Sequence, residues 1–275
     1  MFGLFKEQRR ERWLAENPLP DALWPARSPL LRGLNAEEVL RLRQLTAWFL
    51  KEKAITPVAG LTISDEMRVA IAMQAALPTL NLGFDALEGW HEIVLYPEAF
   101  RARDIWHEMV DGHLHLEHEI DAEMAGQARP DGPVLLSWAD AEVSPWLDGW
   151  NVVIHEIAHK LDMVDGSANG CPPLHKEMDP AAWKTAFAAA FDDLCARAEA
   201  DEDGEFDLYA ASDPAECFAV CSEYFFELPH VLIAHYPAIY EQLRQFYRQD
   251  PAQRLAAMRY RPILPELLET YERML

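Results

Sequence analysis

The stretch that decides the fold is Asn151-Val-Val-Ile-His155-Glu156-Ile-Ala-His159-Lys-Leu-Asp162, which contains His-Glu-x-x-His within an apolar run. On a helix, residues four apart advance about 40° beyond one full turn, so His155 and His159 point the same way. Two neutral imidazoles at that spacing can bind one Zn²⁺. Glu156 lies about 100° around the helix, where it can reach a water at the metal but not the metal itself. The pattern predicts two ligands and a general base of a metallohydrolase.

The residues around this motif argue against a chance arrangement on an ordinary surface helix. Apolar residues cover nearly all sides of the helix, so it should be buried. They are Val152, Val153, Ile154, Ile157, Ala158 and Leu161. Burying two histidines and a glutamate without partners would be costly. A metal site is therefore favoured over an ion-paired patch.

The composition is that of a soluble globular chain with a strongly acidic balance. Its 275 residues are 50% hydrophobic, and 24 basic against 46 acidic residues give a formal net charge of −22. Such a surface repels phosphate, so direct nucleic-acid binding is not expected. A basic partner or a cationic peptide substrate is easier to accommodate.

Cysteines and apolar runs bear on the cellular location. None of the four cysteines forms a Cys-x-x-Cys pair, so neither a zinc ribbon nor a redox motif is indicated. The first residues show no signal peptide, and no apolar stretch approaches the length of a membrane span. We expect a cytoplasmic protein that is not inserted in a membrane.

Capping residues and prolines predict where most helices begin. Asn35, with Glu38 three residues later, is a capping signal for a helix that should end near Lys53. A second helix is expected after Ser64, stopping before Pro78. The Asp-Pro pairs at 179–180 and 213–214 should open two more helices, and Pro237 and Pro251 two closing ones.

The predicted strands precede the His155 helix. Residues 91–96 and 133–138 read as strands, and 105–125 hold a polar, alternating stretch. A proline-rich composition predicts that 1–34 is an extended arm, with Trp13 and Trp24 as anchors. The expected architecture is α+β, in a single domain over 1–275.

The third metal ligand should come from an element downstream. Glu216 and Glu223 are the candidates, because they lie seven apart on one otherwise apolar helix face. Glu216 has a competing explanation, since it completes a capping box with Asp213 and then needs no metal. Position alone favours Glu216 and leaves Glu223 open.

The segment His113-Leu-His115-Leu-Glu-His118 is a rival metal site. On a strand His113 and His115 face one side and His118 the other. No general base is placed as Glu156 is, and the segment is polar throughout. A solvated edge strand or hairpin is the preferred interpretation.

Two further polar residues lie near these elements. Tyr209 precedes Glu216 by seven residues, and its hydroxyl near a metal could donate to an oxyanion. The alternative is a packed loop aromatic. Asp162, three residues after His159, either orients a ligand imidazole or closes the helix.

Long strings of the chain resemble the Mlc titration factor A family of zinc metallopeptidases. The matching segments are 65–78 (DEMRVAIAMQAALP), 132–138 (GPVLLSW), 151–162 (NVVIHEIAHKLD) and 215–226 (AECFAVCSEYFF). They are far more specific than His-Glu-x-x-His alone. The Tyr-x₆-Glu spacing also looks like the catalytic domain of anthrax lethal factor, whose zincin-like fold the family shares.

The resemblance implies a role for each site residue. It gives one Zn²⁺ bound by His155, His159 and Glu216, with Glu156 as catalytic base and Tyr209 as the active-site tyrosine. It implies aminopeptidase-type hydrolysis of peptides. It also implies binding of a transcriptional repressor of the Mlc type, in control of sugar uptake. A repressor-sequestering protein with latent peptidase activity is the alternative.

Overall fold

The computed structural model describes residues 2–110, 113–129, 132–166, 168–202 and 204–255, and for 2–4 and 101–123 the backbone alone. The helices are α1 (Phe2–Glu16), α2 (Ala36–Glu52), α3 (Asp65–Ala76), α4 (Trp138–Val143), α5 (Val152–Asp162), α6 (Pro180–Glu199), α7 (Pro214–Glu227), α8 (Pro229–His235), α9 (Pro237–Tyr247) and α10 (Pro251–Leu255). The strands are β1 (Ala54–Pro57), β2 (Glu92–Tyr96), β3 (Phe100–Val110), β4 (His113–Met124), β5 (Gly126–Ala128) and β6 (Val134–Ser137). Dominant helices with a small sheet confirm the predicted α+β class.

The helices begin where the capping residues predict. Asn35 Oδ1 accepts the N–H of Glu38 at 3.0 Å, and Glu38 Oε2 accepts the N–H of Asn35 at 2.8 Å, which forms the expected capping box. Ser64, Asp179 and Asp213 cap α3, α6 and α7. Proline opens each helix from α6 to α10, where its missing N–H would have no intrahelical partner.

The main sheet has the strand order β1-β2-β6-β5. The first three strands are parallel, and β5 runs antiparallel to β6, with Gly126 opposite Leu136 and Ala128 opposite Val134. The predictions of β2 and β6 are confirmed. Strand β5 forms one edge of the sheet and lies against α5, so it borders the helix that carries the histidines.

Strands β3 and β4 pair antiparallel as a separate two-stranded ribbon, with Val110 opposite His113. This confirms the strand or hairpin predicted for the polar histidine segment. The side chains of His113, His115 and His118 lie outside the described residues, and so does the rival metal site that they would form.

Helices α5 and α7 lie in the centre of the core. In α5 every residue except His155 is buried, and in α7 every residue except Pro214 and Glu216. One contiguous set of buried side chains, from Trp24 to Ala252, surrounds them. None of the helices in the described ranges has both the length and the apolar composition that a bilayer crossing demands.

The expectation that 1–34 is an extended arm is wrong for its first half, because α1 occupies residues 2–16. This stretch contains no proline and is rich in residues that favour helices. An Arg12–Glu16 ion pair at 2.9 Å, one helical turn apart, adds to that preference. The prolines begin at position 18, and beyond them the segment has only short 3₁₀ turns.

The two predicted tryptophan anchors do pack against the body. The Trp13 ring meets Trp48 of α2 edge to face, with centroids 5.6 Å apart. Trp24 is buried, and the Arg43 guanidinium lies 5.4 Å from its ring centroid. Aromatic contacts and a cation–π contact therefore hold both parts of the segment onto α2.

Candidate metal centre

Helices α5 and α7 lie side by side and run in opposite directions. Glu216, near the start of α7, faces His159 near the end of α5, with Oε1 and Nε2 3.4 Å apart. Glu223, two turns further along α7, accepts from His155 Nδ1 at 2.7 Å. The backbone N–H of Asn151, the N-cap of α5, also donates to Glu223. The side chains predicted to bind a metal therefore lie between the two helices.

Three potential ligand atoms converge at this point. His155 Nε2 lies 3.1 Å from His159 Nε2 and 2.9 Å from Glu216 Oε2. Among the residues that the structure describes, His155, His159 and Glu216 form the group of three donors suited to a metal ion. His155 and Glu216 are also the partly exposed members of their buried helices, so the group is open on one side.

The donor set fits a divalent metal such as zinc. Ligands about 2.0–2.1 Å from a tetrahedral zinc lie about 3.3 Å from one another, close to the separations found here. The Nε2 atoms of His155 and His159 face each other, and only one proton can lie between them, so at least one of the two offers a lone pair. Glu216 Oε2 is buried, and although it lies 2.9 Å from His155 Nε2, the two atoms are not aligned as a hydrogen bond. A cation between the three atoms would satisfy all of them.

The pKa shifts within this group of residues also indicate a site that favours a cation. Although burial opposes it, the carboxylates of Glu223 and Glu216 raise the pKa of His155 well above its usual value. Burial also opposes the shift at Glu216, where the adjacent imidazoles of His155 and His159 hold the pKa of the carboxyl below its usual range. The centre therefore favours positive charge.

The structure separates the two candidate carboxylates. Asp213 Oδ1 caps α7 by accepting the N–H groups of Ala215 at 2.7 Å and Glu216 at 3.1 Å. The Glu216 side chain is turned toward the histidine Nε2 atoms instead of completing a capping box. Glu223 reaches only the opposite nitrogen of His155, so it occupies an outer position behind that ring.

Glu156 is buried on α5 beside the edge strand β5. Its Oε2 has no hydrogen-bond partner within the described ranges. Burial raises the pKa of its carboxyl. A Cβ at Gly126 of β5 would lie 2.5 Å from Glu156 Oε1 and 2.7 Å from Val152 Cγ2, so a larger residue here would force the carboxylate of Glu156 to shift.

Tyr209 lies on a 3₁₀ turn, Leu208–Ala211, that Asp207 begins by accepting the Tyr209 N–H at 2.8 Å. Its ring centroid is 6.2 Å from that of His155, and 52% of the residue is exposed. It is therefore not a packed loop aromatic. Burial of the hydroxyl, with the carboxylates of Glu216 and Glu156, raises the pKa of Tyr209, so the hydroxyl keeps its proton and can donate.

Asp162 is the last residue of α5 and is fully buried. It does not orient a ligand imidazole through a hydrogen bond, because its carboxylate accepts backbone N–H groups of residues 169–171. His159 Nδ1 has no hydrogen-bond partner among the described residues. Of the two predicted roles, closing the helix is the one that agrees with the structure.

Comparison with known proteins agrees with a metal-dependent peptidase. The glucose-regulated metallo-peptidase M90 family matches residues 5–248. Mlc titration factor A of Serratia proteamaculans (strain 568) is 43% identical over 232 residues, which cover 82% of this chain and 86% of the relative. That of Edwardsiella ictaluri (strain 93-146) is 43% identical over 239 residues, covering 84% and 89%. That of Yersinia pestis (strain Pestoides F) is 40% identical over 252 residues, covering 88% and 91%.

These matches span most of each protein. The class is that of the metallopeptidases, in which a bound metal is part of the active site. Within it, the chain belongs to the glucose-regulated metallo-peptidase M90 family.

Sequence reasoning missed two features of the site. The contact of Gly126 with Glu156 has no local signal, because it depends on strand β5 pairing beside α5. The position of Glu223 behind His155 follows from the spacing of two helical turns after Glu216, but only once the helices are known to be antiparallel.

Proposed function

We propose that this chain is a zinc-dependent metallopeptidase of zincin-like fold, with one zinc held by His155, His159 and Glu216. The observation that carries the proposal is the convergence of three donor residues between two buried helices, where the two Nε2 atoms and the two Glu216 oxygens approach one another to 2.9–3.4 Å. Glu156 follows the first of these residues, so a base and the metal share one helix. Family membership supports the same conclusion.

The residues of the site divide the chemistry among them. When bound, zinc supplies the Lewis acidity that activates water and polarises the scissile carbonyl. Glu156 takes the proton from the attacking water and passes it to the leaving amine, and its raised pKa helps it hold that proton between the transfers. Tyr209 keeps its proton and donates a hydrogen bond to the developing oxyanion. Glu223 accepts from His155 Nδ1 and keeps Nε2 turned toward the metal.

The substrate class that we propose is a peptide with a free amino terminus, cleaved in the manner of an aminopeptidase. Four carboxylates lie near enough to act electrostatically on the Tyr209 hydroxyl, namely those of Glu216, Glu156, Asp213 and Asp207. A protonated amine is attracted to such surroundings and an acidic terminus is repelled. The net charge of −22 acts in the same direction at longer range.

The test compares wild type, Glu156→Gln and Glu216→Ala, with Glu199→Gln as a control on an exposed acid of α6. Zinc content is measured together with hydrolysis of amino-acid p-nitroanilides that carry a free or an acetylated amino group. Glu156→Gln should retain zinc and lose turnover, whereas Glu216→Ala should bind zinc much more weakly, through the two histidines alone. Wild type should cleave only the free-amine series. Unchanged turnover in Glu156→Gln, or cleavage of the acetylated series, would contradict the proposal.

A second function is favoured by the relatives, which are named for titrating Mlc. We propose that this chain also binds a transcriptional repressor of that type, which would place it in the cytoplasm. The alternative is that sequestration is the main function and peptidase activity is latent. Co-purification of a tagged Mlc-type repressor with wild type and with Glu156→Gln separates the two activities. Binding by both variants is expected, and binding by neither would refute the proposal.

A further inference from the structure

Asp162 is buried at the end of α5 and has none of the roles proposed above. Its Oδ2 accepts the N–H of Asn169 at 2.8 Å and of Gly170 at 2.7 Å, and its Oδ1 accepts the N–H of Cys171 at 3.0 Å. Three successive backbone donors therefore surround one carboxylate. Segment 169–171 is held against the end of α5 by these charge-assisted hydrogen bonds.

Gly170 connects this segment to α7. It has φ +77°, a left-handed conformation that glycine adopts without strain. A Cβ at this position would overlap the carbonyl group of Pro214, the first residue of α7. The backbone of segment 169–171 therefore packs directly against the beginning of the helix that carries Glu216.

Trp183 fixes the segment from a third side. Its Nε1–H donates to the Gly170 carbonyl at 3.0 Å, and the residue is only 1% exposed. Its ring stacks on Phe187, with centroids 4.6 Å apart, and also contacts Phe218 of α7. Gly170 is thus held by its N–H, by its carbonyl and by the close packing of its Cα.

The other end of the helix pair is held separately. Glu227, in the last turn of α7, accepts from Asn151 Nδ2 at 2.8 Å and from the Gly149 N–H at 3.2 Å. Glu223 accepts the Asn151 N–H. Contacts at both ends thus fix how α5 and α7 lie together, and the three metal-binding atoms lie between the two ends.

We propose that Asp162 and Gly170 are positioning residues for Glu216. Through segment 169–171 they set the distance between the end of α5 and the first turn of α7, and so bring Glu216 to the histidines. Without this contact the first turn of α7 loses its link to the end of α5, while Glu227 and Asn151 still hold the other end. The displacement should therefore be greatest at the start of α7, where Glu216 lies. The inference rests on the proposed metal site.

The experiment measures zinc affinity of the full-length protein by competition with a chromophoric chelator. Asp162→Asn replaces one acceptor oxygen by a donor group, and Gly170→Ala forces a side chain against Pro214. Each should weaken zinc binding about 10- to 100-fold, as changes to the outer partners of metal ligands do. The control is Asp165→Asn, an exposed residue three positions later, which should bind zinc as wild type does.

The same substitutions in a Glu216→Ala background separate positioning from general damage. If Asp162 acts through Glu216, Asp162→Asn should cause no further loss of affinity in that background. Equal losses in both backgrounds would overturn the inference, and so would a lower melting temperature of the metal-free protein with unchanged zinc affinity. Gly170→Ala provides the same test if Asp162→Asn does not fold. Failure of wild type to bind zinc would instead refute the proposed metal site.

Discussion

At the scale of single residues, Tyr209 is a residue of the site that is not expected to bind the metal. Its ring lies beside His155 without belonging to the group of three donor residues. Its raised pKa keeps the hydroxyl protonated at neutral pH, so the hydroxyl can donate a hydrogen bond to an oxyanion. Metal binding and turnover should therefore respond differently to its removal.

For Tyr209→Phe we expect kcat to fall about 10²- to 10³-fold, the usual cost of removing one donor to an oxyanion. Zinc content should stay at the wild-type level, because no ligand changes. Steady-state kinetics together with metal analysis give both quantities. Loss of zinc, or wild-type kcat, would show that the hydroxyl has another role.

For Glu223→Gln we expect zinc affinity to fall about 10- to 100-fold, because the amide no longer fixes the tautomer and orientation of His155. Glu227→Gln is the matched control. Glu227 lies one turn further along α7 and, like Glu223, accepts a hydrogen bond from Asn151. The carboxylate that is hydrogen-bonded to the His155 ring is that of Glu223. Competition titrations should give a clearly smaller loss for the control. Equal losses would assign the effect to the contact with Asn151.

The residue scale also shows what the sequence can predict. His155, Glu156 and His159 could be placed relative to one another because helical geometry alone fixes them. Position favoured Glu216 over Glu223 but left Glu223 open, since both lie on one face of α7. Which carboxylate meets the Nε2 atoms depends on how α7 is placed against α5, and that is set by tertiary contacts.

At the scale of elements, the predictions succeeded where the signal is local. Caps at Asn35 and Asp179 and the prolines that open α6 to α10 mark helix ends within a few residues of chain. Strands β1 and β5 were missed because they have only four and three residues. They are strands because they pair with other strands of the sheet, β1 with β2 and β5 with β6. In the case of β1, the partner strand is distant in sequence.

Lys53, between α2 and β1, supplies a prediction on pH. It is buried, its ammonium donates to the carbonyls of Leu87 and Trp90, and burial lowers its pKa to about 8. In the unfolded chain its pKa is near 10.5. Between these values the unfolded state binds more protons, so this residue makes the fold more stable as pH rises from 8 to 10.5.

The free energy of unfolding of wild type should therefore rise relative to Lys53→Met across this window. The gain is at most about 3 kcal/mol, since one pKa unit corresponds to about 1.4 kcal/mol. Denaturant titrations at several pH values measure it. Lys184→Met, on an exposed position of α6, is the control and should follow wild type. If the difference between wild type and Lys53→Met does not change with pH, the ammonium is not buried as described.

At the scale of the whole molecule, the core contains an unusual number of acids. Glu156, Glu223, Glu227 and Asp162 are buried around the central helix pair, and burial raises the pKa of each. Buried carboxylates destabilise a fold unless they are protonated, hydrogen-bonded or paired with a cation. A bound metal would offset part of this cost.

Removing the metal should therefore lower the melting temperature of the protein. Zinc at 100 times its Kd stabilises the folded state by about 2.7 kcal/mol, which corresponds to roughly 5–10 °C for a chain of this size. Calorimetry with zinc and with excess chelator measures the shift. Glu216→Ala should show a clearly smaller shift at the same zinc concentration, because only two ligands remain. A wild-type melting temperature that is independent of zinc would contradict the metal site.

The same melting curve bears on domain organisation. We propose that residues 1–275 form one domain, because one contiguous hydrophobic core includes side chains from Trp24 to Ala252. One domain of this kind should unfold in a single cooperative transition. Two separated transitions would indicate two independent units.

Gly126 offers a criterion for sorting relatives into working enzymes and inert copies. A related chain can keep both histidines and the glutamate of the motif and still carry a larger residue at this position of β5. Its metal ligands would be intact, but a Cβ would displace the carboxylate of the base. If the proposed mechanism holds, such a chain should bind zinc and match the motif but turn over peptides poorly. The residue that reveals a pseudoenzyme in this family would then lie outside its catalytic motif.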